Sequence, residues 1–104
     1  MSRHEVPPER LPPPGGRALL RMGGRCVVLF RVDEEYLAID DSCPHQGASL
    51  AGGKLEGGGV QCPAHGLRFD LRSGCLRNAP QLRIPIYPID VEQGRVFISL
   101  PGQD

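Results

Sequence analysis

The chain has 104 residues, 39% of them hydrophobic, with no Trp, three Phe and two Tyr, so it holds one small domain with a modest core. Fourteen Gly and eleven Pro make up about a quarter of it, which excludes a helical bundle and favours short strands joined by many turns. Twelve basic residues cancel twelve acidic ones, so no field of one sign steers the molecule to nucleic acid or an anionic membrane.

Residues 1–16 (MSRHEVPPERLPPPGG) contain no apolar run and no secretory pattern. They read as a proline-rich leader, a tail lying along the domain with His4 in solvent, and the folded domain is expected over 17–104. The longest unbroken apolar run, CVVLF at 26–30, falls far short of the ~20 residues of a membrane span. The expectation is a cytoplasmic protein with reduced thiols, in which four Cys point to metal or catalysis before disulfides.

From residue 17 onward the signals are those of strands. RCVVLFRV at 25–32 is continuous and β-branched, and YLAI at 36–39 follows the acidic turn of Asp33, Glu34 and Glu35, which predicts a hairpin. Cys26 is expected to pack in the core as a small hydrophobe. Residues 40–80 are dominated by Gly, Pro, Cys and His, with brief strand-like pieces at 60–61 and 68–71 (RFDL). The triplet of Gly57, Gly58 and Gly59 reads as a hinge or hairpin tip. Cys75 reads as a free thiol in a turn, with a Cys26–Cys75 disulfide as the alternative. Residues 82–91 and 95–100 predict a second hairpin turning at Gln93 and Gly94. Its apolar phase switches between Ile86 and Tyr87, which a bulge near Pro88 would explain, and Pro85 and Pro88 argue for an edge strand. No helical period extends beyond two turns, so the fold class is all-β, an antiparallel sandwich or small barrel with a loop-rich insertion.

Two short motifs stand in that insertion, CPHQG at 43–47 and CPAHG at 62–66. The spacing is C-x-H, sixteen intervening residues, then C-x2-H. Each loop offers one thiolate and one imidazole, and together they could clamp a metal site from two sides. Pro44 and Pro63 stiffen the loops, and Gly47 and Gly66 let the backbone turn close to a cofactor. Two chemistries fit two Cys and two His: a tetrahedral zinc site, or a [2Fe–2S] cluster with both Cys on one iron and both His on the other. Usual zinc spacings pair Cys with Cys and His with His, whereas the alternation here suits a binuclear cluster reached by both loops.

The segments CPHQGASL (43–50) and CPAHG (62–66) resemble the Rieske iron–sulfur family, and the resemblance extends over about residues 17–100. It implies a Rieske-like sandwich with cluster-binding loops at about 40–80. One [2Fe–2S] cluster would be held by Cys43 and Cys62 on the inner iron and His45 and His65 on the outer. Such a centre is formally neutral when oxidised and takes one negative charge on reduction. With every coordination place filled by protein, it carries electrons and is no enzyme by itself.

Rieske proteins of the bc-type complexes carry a further Cys in each cluster loop, where this chain has Ala48 and Ala64. They also place Ser and Tyr hydroxyls near the cluster sulfurs, where this chain has Leu67 and Phe69. Two missing hydrogen bonds to the more negative reduced state imply a potential lower by on the order of 100 mV. The resemblance thus implies a soluble, monomeric, low-potential ferredoxin between a flavoprotein reductase and a terminal ring-hydroxylating oxygenase. The alternatives are the small subunit of an assimilatory nitrite reductase, partnered by its large subunit, and a redox-sensing module. Gln46, Leu50, Leu67 and Pro80 are expected to rim the outer iron as a docking surface.

Overall fold

Residues 27–30 (VVLF) are apolar without alternation, a pattern a strand satisfies when it is covered on both faces. That is their situation in the computed structural model, which describes residues 2–41, 52–56, 58–61, 68–76 and 79–100. The described strands, in chain order, are β1 (Ser2–Glu5), β2 (Arg17–Met22), β3 (Arg25–Val32), β4 (Glu35–Asp40), β5 (Lys54–Glu56) and β6 (Gly59–Gln61). There follow β7 (Arg68–Asp70), β8 (Cys75–Leu76), β9 (Ala79–Arg83), β10 (Ile86–Tyr87), β11 (Ile89–Glu92) and β12 (Arg95–Leu100). The one helical element among the described residues is a 3-10 turn at Pro8–Arg10.

The strands form three antiparallel sheets in the orders β1-β12-β11, β10-β4-β3-β2 and β5-β6-β7-β8-β9. The four-stranded sheet lies in the middle. Its Val28, Phe30 and Ile39 pack with Val60, Phe69, Leu71, Leu76 and Ile84 on the five-stranded side. Its Leu20, Val27, Leu29, Ala38 and Tyr87 pack with Val6, Val96, Ile98 and Leu100 on the three-stranded side. Alternate residues of β3 therefore serve two cores, and residues 27–30 are fully buried.

The hairpin expected around the acidic turn is present, with Val32 paired to Glu35 and Asp33 at φ 55°. The second expected hairpin is present as β11 and β12, closed at Gln93 and Gly94. Gly58, at φ 77°, lies in the turn that brings Glu56 opposite Gly59, as the glycine triplet implies.

The structure differs from the sequence reading in three places. The stretch 82–91, expected as one bulged strand, is divided among β9, β10 and β11, each in a different sheet. Pro85 and Pro88 fall between these strands, where no ladder donor is needed. The apolar phase switches because the chain passes from one core, at Ile84, to the other, at Tyr87. All three strands end their sheets, consistent with the proline argument for an edge.

The N-terminal stretch is more than a tail. Ser2–Glu5 pairs with β12, His4 stands half-buried opposite Ile98, and Val6 is 1% exposed in the core. Cys26 is exposed rather than packed, because it shares a strand face with Val28 and Phe30 but precedes the buried run. Cys26 and Cys75 are both free thiols, so the alternative disulfide is not formed.

A ladder of charges fastens β1 to its neighbour. Arg95 donates to both carboxylate oxygens of Glu5 at 2.9 and 2.7 Å, and Arg3 donates to those of Glu92 at 3.1 and 3.3 Å. The two guanidinium groups also lie over the ring of Phe97, 4.0 and 5.2 Å from its centroid. This cover explains why Phe97 is buried although its neighbours Val96 and Ile98 face the core.

Two outcomes follow from this packing. The hydrogen bond from Arg95 holds the Glu5 carboxyl below its usual range, against an opposing effect of desolvation and with the Arg95 charge adding to it. The attachment is therefore present above the ordinary carboxylate range and lost as pH falls through the depressed value. Amide exchange of β1 should accelerate there before that of β3 does, and Glu5→Gln should remove this pH dependence. Gly74 has φ 78°, and a Cβ on it would stand 2.4 Å from the Ile84 carbonyl oxygen. Gly74→Ala should cost about 1–3 kcal/mol, read as a lowered thermal midpoint.

Candidate metal centre

The four expected ligands, Cys43, His45, Cys62 and His65, lie outside the described residues, as do Ala48, Ala64, Gln46, Leu50 and Leu67. Among the described residues no group of three or more His, Cys, Asp or Glu could hold a metal ion. The frame that carries the two ligand-bearing segments is described, and it treats them differently.

Residues 62–67 connect Gln61 to Arg68, which are partners in the β6–β7 ladder. Both ends of that segment are thus fixed to each other by backbone hydrogen bonding. Residues 42–51 connect Asp41 to Gly52, and their ends belong to different layers. β4 lies in the four-stranded sheet and β5 in the five-stranded one, so no ladder joins the two ends.

The start of residues 42–51 is held by the middle sheet. The Asp41 amide donates to the Cys26 carbonyl and the Asp40 amide to the Pro85 carbonyl, both at 3.0 Å. The Tyr87 hydroxyl donates to Oδ1 of Asp40 at 3.1 Å. Burial raises the phenol above its ordinary value, and the Asp40 charge and hydrogen bond add to this, so Tyr87 remains a donor through the neutral range.

The far end is held by a side chain. Arg17, paired across the strands with Phe30, places its guanidinium 5.1 Å from that ring's centroid and donates through Nη1 to the Gly53 carbonyl. Beside the second segment, Lys54, Gln61 and Arg68 form a cross-strand row. Arg68 pairs with Glu56 at 3.2 Å, an exposed pair of small energetic weight. Phe69, next in β7, is fully buried in the core beside Val28 and Phe30. Pro80 lies in β9.

Sequence reasoning did not find Arg17, Asp40 or Tyr87. Tyr87 carried a weak signal in the phase switch beside Pro88, and Asp40 stood two residues from the motif-bearing loop. Arg17 carried none, because its partner is a backbone carbonyl 36 positions away in another layer.

Residues 4–88 match the family model of the Rieske [2Fe-2S] domain. The chain is 40% identical over 92 residues to the 3-phenylpropionate/cinnamic acid dioxygenase ferredoxin subunit of Escherichia coli strain K12, covering 85% of each chain. A chain of the complex of reduced oxygenase and oxidised ferredoxin in carbazole 1,9a-dioxygenase superposes with a TM-score of 0.75 at 29% identity. That match covers 85% of this chain and 83% of that one. A putative NADH-dependent nitrite reductase small subunit from Mycobacterium tuberculosis superposes with a TM-score of 0.84 at 26% identity, covering 97% and 96%.

The chain belongs to the Rieske [2Fe–2S] family, and the family carries a [2Fe–2S] cluster. The donor chemistry of the chain fits that group: two thiols and two imidazoles in two segments whose ends are held by neighbouring sheets.

The Tyr87 contact can be tested directly. Tyr87→Phe leaves the Asp40 carboxylate without this donor and should cost about 1.5–3 kcal/mol of stability in chemical denaturation. Because the folded phenol titrates high, stability in the parent should fall as pH rises beyond the ordinary tyrosine range, and this fall should be reduced in Tyr87→Phe.

Proposed function

We propose that this chain is a one-electron carrier that receives an electron from a flavoprotein reductase and delivers it to a terminal ring-hydroxylating oxygenase. The observation that carries the reading is the pair of motifs C-x-H and C-x2-H in a chain 40% identical to a dioxygenase ferredoxin subunit over most of both lengths. In this reading Cys43 and Cys62 bind the inner iron and His45 and His65 the outer. When bound, the cluster supplies reversible one-electron transfer, and the protein contributes no open coordination position. The chain's own task is to hold four ligands, exclude water from the thiolate side and present the histidine side to a partner.

The likeness to a chain of a complex of oxygenase and ferredoxin supports an oxygenase as one partner. The free thiols of Cys26 and Cys75 fit a reducing, cytoplasmic setting. Among the described residues, no helix is long and apolar enough to cross a membrane. The second reading, a nitrite reductase small subunit, is favoured by the 0.84 superposition alone, at lower identity.

The purified protein should contain two irons and two sulfides, and Cys62→Ser should abolish them. A ferredoxin reductase with NADH should bleach its visible spectrum, and oxygenase should restore it. Co-purification with a sirohaem subunit would favour the second reading. The midpoint potential should lie toward the bottom of the family range of roughly −150 to +300 mV. Phe69→Tyr should raise it, and an unchanged potential would remove the hydrogen-bond account.

A further inference from the structure

The ends of residues 42–51 stand in different sheets, and the link described across that gap at the far end is made by one side chain. We infer that Arg17 is a positioning residue for the metal centre, fixing the first ligand-bearing segment to the middle sheet through the Gly53 carbonyl. The inference rests on the ligand assignment proposed above.

Three observations carry it. Arg17 sits at the start of β2, directly opposite Phe30, on the strand face that carries Phe30 toward the five-stranded sheet. Its guanidinium lies over that buried ring, so the long side chain is oriented before it meets its acceptor. A planar group that stacks while donating loses less freedom on bonding than a lysine would. The acceptor, Gly53, is buried and immediately precedes β5, two residues beyond the end of the segment.

The second segment has no comparable need. Its ends are tied to each other by the Gln61–Arg68 register within the five-stranded sheet. The separation of the two segments' attachment points therefore depends on how firmly β5 and its approach are tied to β2 and β3. Packing of Phe30 against Phe69 and Val60 sets the separation of the layers, but apolar contact is non-directional. A hydrogen bond from a stacked, part-buried guanidinium adds directional register to that packing, beyond the exposed Arg72–Glu35 pair that also joins the two layers.

The experiment uses the loaded protein. Arg17→Met retains an apolar stem over Phe30 but cannot donate to Gly53. It should keep the far-UV spectrum of the parent and lose metal to a chelator faster, by on the order of ten-fold. The reduced protein should show broadened electron paramagnetic resonance lines, a sign of ligand geometry that a purely stabilising contact would not move. Arg10→Met removes another guanidinium–carbonyl bond, 2.7 Å to Leu19 on the same strand, and serves as the control. It should change neither quantity.

Parent-like loss and line shape in Arg17→Met would overturn the inference, and so would equal changes in Arg10→Met. Should Arg17→Met fail to fold, Arg17→Lys carries the comparison. It is expected to lose metal faster than the parent by a smaller factor, and parent behaviour in that variant overturns the proposal. The iron and sulfide content of the parent reads the ligand assignment separately, because the variant comparison holds for whichever metal the parent retains.

Discussion

The burial of β3 on both faces is the constraint on which the rest of the architecture depends. A strand of four consecutive large apolar residues cannot present one side to water without loss. Burying each such side chain is worth roughly 1.5–3 kcal/mol. Val28 and Phe30 require a layer on one side and Val27 and Leu29 a layer on the other. Neither flanking sheet is large, and each supplies only a few core residues. In a chain with no Trp and three Phe, placing two of those rings, Phe30 and Phe69, in one core makes economical use of scarce volume.

The three-layer arrangement determines where a metal centre can be built. The five-stranded sheet is made of strands of two to five residues, too short to form an independent unit. It persists because Val60, Phe69, Leu71 and Leu76 rest on the middle sheet. Gln61 and Arg68, which flank residues 62–67, share a ladder of this dependent layer, whereas β4 and β5, which flank residues 42–51, stand in different layers. The tie at Gly53 joins the middle sheet to the approach of β5, while those at Asp40 and Asp41 hold the end of β4 within the middle sheet.

Much of this was legible in the sequence, for identifiable reasons. The acidic turn and the Gln93–Gly94 turn announced their hairpins, because turn chemistry is local and the flanking residues are β-formers. The C-x-H and C-x2-H motifs stand out in the sequence because metal chemistry demands particular residue types at close spacing, and the family match over residues 4–88 spans both. What escaped notice was non-local. A polar leader entered a sheet because Val6 had a core to fill and Glu5 and Arg3 had partners some ninety residues away. The division of residues 82–91 among three sheets was unreadable because alternation reports which face is buried and not which layer covers it. Cys26 was misjudged for the same reason: a strand face is covered only as far as its neighbouring sheet reaches.

The difference between the two ligand-bearing segments also bears on the order in which the molecule assembles. Gln61 and Arg68, the ladder partners that flank residues 62–67, are close in sequence, so their contact closes a short loop at small entropic cost once the five-stranded sheet rests on the middle one. The first segment can be fixed only after two layers have met, with Arg17 and Gly53 brought together from 36 positions apart. Both attachments thus await the meeting of the layers, although they differ in the length of chain they close. On the ligand assignment proposed above, a cofactor reaches all four residues late, together with the docking of the layers.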